Sequence, residues 1–160
     1  REAALTPDLK AKRDAALAEP APAKPEQMNQ ETSEGAASSV IYFLELYRYA
    51  FMTGNTTELA AMSEDGCKFC QSAIDRATTL HATGWIDKWD QNVVDITYYE
   101  KLEGRDYNRV SIVVNYGAMT SHPGDGGESK TSAPDEARTL NFGLKYIGGR
   151  WAVGGVEVPK

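Results

Sequence analysis

The hydrophobic pattern of the chain changes its period at Trp85, and this change limits the fold more than any other feature of the sequence. Before Trp85, apolar residues recur every three or four positions, as in amphipathic helices. After Trp85, apolar and polar residues alternate, as in strands with one buried face. Because short turns separate the alternating segments, we expect neighbouring strands to pair antiparallel. The pattern predicts an α+β fold, with helices packed on one face of a curved antiparallel sheet.

Three helices are predicted in the first half of the chain. The longest spans 34–53, where Ser33 is suited to cap its start and Gly54 to end it. A short helix follows residues 55–57, and a third helix follows the cysteines and ends near Gly84.

Four or more strands are predicted in the second half. They lie at 93–100, 107–118, 138–147 and 150–158. In the first of them, Val94, Ile96 and Tyr98 are expected to share one face. The two glycines at 154–155 mark a change of phase, which is typical of a β-bulge. A polar stretch at 123–136 is expected to form a long, mobile hairpin loop.

The start of the chain differs in composition from the rest. Residues 1–26 contain four of the seven prolines and no aromatic residue, so they lack the apolar area that ordering requires. We expect residues 1–30 to form an Ala/Pro-rich flexible tail or stalk, with a short helix at 8–19, and residues 31–160 to form a single domain. Because the first residue is Arg1 rather than Met, we also expect that a signal peptide has been removed.

The charge of the chain argues against nucleic-acid partners. Lys and Arg number 17 and Asp and Glu number 23, so the formal net charge is −6. Nucleic-acid binding depends largely on neutralising phosphates, which a chain of this charge does not favour. The same charge gives no attraction to anionic lipids, and no apolar run approaches the ~18 residues of a membrane span.

Cys67 and Cys70 form the most compact chemical motif in the sequence, and three interpretations of it stay open. A thioredoxin-type redox site is expected after a strand, but helices are predicted on both sides of this motif. A zinc site needs four ligands, and His81 and His122 are the only histidines. A structural disulfide in an oxidising compartment fits best, and it would contribute about 2 kcal/mol to stability.

Three segments, at 37–49, 61–70 and 80–89, resemble a family of exported actinobacterial lipoproteins of unknown function. The resemblance covers about 30–158, and its most specific part is the block that ends in the two cysteines. The domain of that family is similar to the nuclear-transport-factor-2-like cone, also called ketosteroid-isomerase-like or cystatin-like, in which helices close a bent sheet over a pocket. The resemblance implies a lipid anchor upstream of Arg1 and a place on the outer face of the cell membrane. It assigns no reaction.

The candidate pocket residues lie on the longest helix and around the change of period. They are Tyr47, His81, Trp85, Asp87, Trp89 and Asp90. A catalytic set would need Asp87 or Asp90 as a base within hydrogen-bond reach of His81 and Tyr47. The same residue types are also typical of helix ends, solvated loops and aromatic packing. We therefore assign no catalytic residue, no metal ligand and no cofactor.

These features together favour a non-catalytic domain of a cell-surface lipoprotein, which binds a small ligand or a cell-surface protein. The alternatives are an isomerase or hydrolase in the same cone, and a thiol–disulfide oxidoreductase at the two cysteines. We expect a monomer, because the outward face of the predicted sheet is polar for an obligate interface. That face carries Arg109, Ser111, Asn115, Asn141 and Lys145.

Overall fold

The structure, a computed structural model, describes residues 5–159. This part of the chain is mixed α+β, with four α-helices and two antiparallel sheets. The helices are α1 (Pro7–Leu17), α2 (Ser33–Thr53), α3 (Thr57–Met62) and α4 (Lys68–Thr83), and a short 3-10 helix spans Glu26–Asn29. The strands are β1 (Gly84–Lys88), β2 (Gln91–Tyr99), β3 (Asn108–Tyr116), β4 (Met119–Pro123), β5 (Lys130–Ser132), β6 (Asp135–Ile147) and β7 (Arg150–Glu157).

The three helices predicted from the periodicity are confirmed as α2, α3 and α4. The cap of α2 is Thr32 rather than Ser33, because the Thr32 hydroxyl accepts a hydrogen bond from the Gly35 N–H at 3.0 Å. The helix ends at Gly54, whose φ of 83° is in the left-handed region that glycine adopts without strain. α4 begins after Cys67 and ends at Gly84.

The two sheets are built largely from the same three stretches of chain. The larger sheet has the order β2-β3-β6-β7 and the smaller has the order β1-β4-β5. β1 continues into β2, β3 into β4, and β5 into β6, each across a two-residue connector at 89–90, 117–118 or 133–134. We call the boundary formed by these three connectors the seam. Across it, the Gly117 N–H donates to the Asp90 carbonyl at 2.9 Å.

The seam explains where the strand predictions differ from the structure. The strand predicted at 107–118 ends at Tyr116. After the connector 117–118 the chain continues as β4, which belongs to the second sheet. The predicted loop at 123–136 is shorter than expected, because β5 pairs with β4 inside it and β6 begins at Asp135.

Bulges set which strand residues face the core. The β2–β3 register skips from Val93 to Asp95, and Val94 is 49% exposed. The prediction that Val94 shares the face of Ile96 and Tyr98 is therefore wrong, because the bulge turns Val94 outward. The bulge predicted at the two glycines is confirmed, since the β6–β7 register skips Gly154.

The core lies between α2 and the inward face of the larger sheet. Val40, Phe43 and Leu44 of α2 are at most 1% exposed, and Phe43 meets the ring of Phe142 edge-on at a centroid distance of 5.4 Å. The inward positions of β3 are fully buried beneath them. They are Val110, Ile112 and Val114.

The described part of the tail lies along the domain. Its buried side chains are Leu5, Ala16 and Met28. The Glu19 carboxylate pairs with the guanidinium of Arg48, which also donates from Nε to the Trp89 carbonyl at 2.7 Å. The stalk expected for residues 1–30 stays a prediction, and residues 1–4 lie outside the described part. Within 5–159, no helix is long and apolar enough to cross a membrane.

Candidate functional site

A pocket of about 430 Å³ lies at the seam, and we call it the seam pocket. All three connectors contribute to its lining, through Trp89, Asp90, Gly117 and Ala133. The helices and the larger sheet supply much of the remaining lining. Those residues are Leu44 and Tyr47 of α2, Phe69 and Arg76 of α4, Tyr116 of β3, and Asp135, Arg138 and Leu140 of β6.

Aromatic rings form a continuous wall in the seam pocket. The Tyr47 ring lies 5.8 Å from the Phe69 ring and 5.7 Å from the Trp89 ring, measured between centroids. The Trp89 ring in turn meets the Tyr116 ring edge-on at 6.3 Å. Such a wall offers a large apolar surface to a flat or aliphatic molecule.

The charged groups of the seam pocket fall into two kinds. Asp135 accepts hydrogen bonds from Arg138, and Asp90 pairs with Lys88 at 3.4 Å, so both carboxylates of the lining are already matched by cations. Arg76 differs, because it pairs with no carboxylate among residues 5–159. Its Nη2 donates instead to the Tyr47 hydroxyl at 2.6 Å, and its guanidinium carbon lies 5.4 Å from the centre of the Phe51 ring.

Both tyrosines of the pocket are held in the protonated form. Burial raises the pKa of the Tyr47 phenol, and the Arg76 guanidinium partly opposes this shift. Burial, reinforced by Tyr47, raises the pKa of Tyr116 to about 12. At neutral pH these hydroxyls are hydrogen-bond donors rather than bases. Since the lining carboxylates are engaged by cations, the arrangement suits binding better than proton transfer.

The structure divides the six candidate pocket residues into two groups. Tyr47, Trp89 and Asp90 line the seam pocket. His81 and Trp85 instead line an open groove of about 1020 Å³ beside α1, together with His122 of β4. The His81 Nε2 is engaged by the Phe51 carbonyl at 2.6 Å, so the set of His81 with Tyr47 and an aspartate is not assembled.

Asp87 belongs to a second polar cluster, which surrounds His122 of this groove. His122 is 8% exposed, stacks on the buried Trp85 ring at 4.2 Å, and has its Nδ1 2.5 Å from the Ser129 Oγ. Its Nε2 lies 3.5 Å from the Asp87 Oδ2, which is within ion-pair distance, but it forms no hydrogen bond with a described residue. The two ring nitrogens of His122 therefore face Asp87 on one side and Ser129 on the other, and we call these three residues the array.

Sequence reasoning missed several residues of the seam pocket. Tyr116 carried a usable signal, since it follows the inward residues Val110, Ile112 and Val114 with a period of two. Phe69 and Arg76 are seven residues apart and so share one side of α4. Nothing in the sequence marked Arg76 as a pocket residue.

Cys67 and Cys70 form a disulfide at the start of α4. Each cysteine is 1% exposed, and the Cys67 Sγ accepts a hydrogen bond from the Cys70 N–H at 3.2 Å. Thiol–disulfide exchange needs access to the sulfur atoms, so this burial favours a structural bridge over a redox site. Within residues 5–159, no group of three or more His, Cys, Asp or Glu side chains is arranged to hold a metal ion.

Comparison with solved structures shows a shared fold. The chain is similar to the intermembrane space region of the chloroplast protein ARC6, with 12% identity and a TM-score of 0.54 over 81% of this chain and 97% of that one. Aln2 from a Streptomyces species gives a TM-score of 0.48 at 12% identity, over 81% of this chain and 93% of that one. No curated protein matches the chain. A family model covers residues 12–157, and the chain therefore belongs to DUF6318, a family of unknown function.

Proposed function

We propose that this chain is a binding domain whose seam pocket holds a small, largely apolar molecule without transforming it. The observation that carries the proposal is the wall of Tyr47, Phe69, Trp89 and Tyr116 around a pocket of about 430 Å³. Small-molecule sites in proteins are mostly apolar clefts of roughly 300–1,000 Å³ with a few placed polar groups. The protonated tyrosines and paired carboxylates support binding without catalysis.

The proposal includes where the domain works. We place it on the outer face of the cell membrane, exported and held by a lipid anchor upstream of the described chain. The buried disulfide between Cys67 and Cys70 supports an oxidising compartment, where such bridges persist. The two sheets that meet at the seam, with α2 packed on the larger one, support a nuclear-transport-factor-2-like cone.

The proposal also includes a monomeric state. The side chains of Arg109 and Lys145 project from the larger sheet over the rings of Tyr99 and Tyr107. Desolvating these cations would oppose a tight dimer through that face. Sedimentation at tens of micromolar is expected to give a single species with the mass of one chain. A tight dimer would overturn this part of the proposal.

Binding can be tested with N-phenylnaphthylamine, an uncharged apolar probe that fluoresces more strongly in apolar surroundings. We expect saturable binding to the full chain. Phe69→Ala should weaken it by about tenfold, because the ring supplies part of the aromatic wall. Tyr99→Ala is the matched control, since it removes an aromatic ring that is 44% exposed and lies outside the seam pocket. Absence of saturable binding, or equal effects of the two variants, would contradict the proposal.

One observation favours a hydrolase as the second candidate function. In the array of Asp87, His122 and Ser129, the Ser129 Oγ could attack an ester carbonyl while its proton passes to the His122 Nδ1. The alcohol would leave with that proton, and water would then release the acid and regenerate the serine. Incubation with a fluorophosphonate should label Ser129, and Asp87→Asn should slow the labelling. An unlabelled Ser129 excludes this candidate.

A further inference from the structure

We infer that the molecule bound in the seam pocket carries an anionic group, which Arg76 and Tyr47 bind while the apolar body lies against the aromatic wall. This inference rests on the proposed function, because it names the ligand class of the same pocket. The ligand class is an aromatic or polycyclic carboxylate, sulfonate or similar monoanion.

The charge of Arg76 is not matched by a carboxylate of the pocket lining. The other charged groups of the lining are in ion pairs, namely Asp90 with Lys88 and Asp135 with Arg138. Arg76 pairs with no carboxylate within residues 5–159, and one face of its guanidinium group is covered by the Phe51 ring. A guanidinium presents five N–H donors in a fixed plane, and its bond to Tyr47 leaves donors for the two oxygens of an anion.

The hydrogen bond between Arg76 and Tyr47 leaves the hydroxyl hydrogen of Tyr47 without an acceptor among the described residues. The Tyr47 oxygen accepts from the Arg76 Nη2 at 2.6 Å, so its own hydroxyl hydrogen remains available. No described residue accepts that hydrogen, and the hydroxyl of Tyr116 likewise has no partner in 5–159. The lining therefore presents a cation and two phenolic donors, and an anionic oxygen is a group that accepts from donors of both kinds.

The pocket is shielded from water on one side only. Tyr47 and Trp89 are each 9% exposed, whereas Arg76 is an exposed residue. A charge-assisted hydrogen bond on the shielded side, at the Tyr47 hydroxyl, is stronger than one at an open surface. The Asp90 carboxylate on the lining would repel an anion placed beside it, which favours the α4 side of the pocket for the charged group.

The test compares two fluorescent probes that differ by one charge. Anilinonaphthalene sulfonate carries an anionic group, and N-phenylnaphthylamine has the same ring system without it. We expect the full chain to bind the sulfonate more tightly. Arg76→Met, which keeps the apolar stem, should weaken sulfonate binding by about tenfold and leave binding of the neutral probe within about twofold. Arg76→Lys should retain part of the preference, because it keeps the charge but loses the planar donors.

Arg109→Met is the matched control. Arg109 lies over the Tyr99 ring at 4.9 Å, much as Arg76 lies over Phe51, but it is outside the seam pocket. The variant Arg109→Met should therefore keep the preference for the sulfonate over the neutral probe. Circular dichroism of each variant establishes that it is folded before the binding data are compared.

The outcomes separate the inference from the proposed function. If neither probe binds, the proposed function itself is wrong. If both probes bind equally well and Arg76→Met does not distinguish them, the pocket binds apolar molecules and the inference is overturned. If Arg109→Met reduces the preference for the sulfonate as much as Arg76→Met does, the sulfonate is attracted to surface cations in general. That result would also overturn the inference.

Discussion

At the scale of single residues, Gly35 shows how closely the tail approaches the domain. A Cβ at this position would overlap the Gln30 carbonyl oxygen and lie 2.8 Å from the Gln27 carbonyl oxygen. Both atoms belong to the backbone, so they cannot move aside as a flexible side chain would. Gly35 is therefore required by the path of the chain that precedes α2.

Gly35→Ala is expected to destabilise the domain by about 2 kcal/mol, because the added methyl group overpacks a rigid contact. The sign of this change in unfolding free energy is informative, since replacing glycine by alanine inside a helix normally stabilises the helix by about 1 kcal/mol. Urea unfolding measures the difference. Gly66→Ala is the control, because no atom lies within 4 Å of a Cβ there. A stabilised Gly35→Ala would mean that the tail does not pack as described.

Tyr116 links the seam pocket to the pH dependence of stability. Its folded-state pKa is raised to about 12, mainly by burial, whereas an exposed phenol titrates near its ordinary value of 10.0. Between about pH 10 and pH 12, the folded state therefore keeps the proton of the Tyr116 phenol, whereas the unfolded state has lost it. The stability associated with the neutral phenol is complete below about pH 10 and is lost as the pH rises towards 12.

Between about pH 8 and pH 11, we expect the unfolding free energy of the wild type to fall by about 1 kcal/mol more than that of Tyr116→Phe. The reason is that each unit of pKa shift corresponds to about 1.4 kcal/mol. Urea unfolding at the two pH values gives the comparison. Tyr99→Phe, at an exposed position, should follow the wild type. Equal losses for the wild type and Tyr116→Phe would contradict the assigned burial of the phenol.

At the scale of elements, some features were predictable and others were not, for physical reasons. The amphipathic period of α2 and α4 is set by a single buried face, which the sequence displays directly. The bulge at Gly154 was predictable because glycine marks it. The bulge at Val94 was not, because a valine on either face of a strand looks the same in the sequence. The second sheet also escaped prediction, since Ala118 continues the alternation of the strand past the break.

The disulfide belongs to the same scale, because it fixes the start of α4 and thereby the positions of Phe69 and Arg76. The double variant Cys67→Ala/Cys70→Ala should lose about 2 kcal/mol of unfolding free energy while still binding N-phenylnaphthylamine. In the folded wild type, reduction by dithiothreitol should be slow and should accelerate with urea, because both cysteines are buried. Fast reduction without urea would reopen the redox interpretation.

At the scale of the whole molecule, the sequence predicted the mixed α+β class of the fold, but the structure distributes the candidate pocket residues over two places. Tyr47, Trp89 and Asp90 line the seam pocket, whereas His81 and Trp85 line a separate groove and Asp87 lies beside His122 of that groove. The seam pocket depends on three connectors that are distant in sequence and on the angle between two sheets. Neither quantity is encoded in local periodicity, so Arg76 and Tyr116 were found from the structure.

The tail is held to the domain by few buried side chains, which allows a prediction about its motion. Ala16 is the buried residue of α1, whereas twelve residues of α2 are buried. Amide hydrogen exchange should therefore be at least about 100-fold faster in α1 than in α2. Arg48→Met, which removes the pair with Glu19, should accelerate exchange in α1 without affecting α4. Equal protection of α1 and α2 would contradict the stalk expected for residues 1–30.

The seam has a consequence for ligand binding. β1 and β2, β3 and β4, and β5 and β6 are each joined by only two residues, so the two sheets are closely tied to each other. Trp89, Gly117 and Ala133 belong to these connectors and also line the seam pocket, so a bound molecule would contact all three junctions between the sheets. Ligand binding should therefore restrict movement of the smaller sheet relative to the larger one.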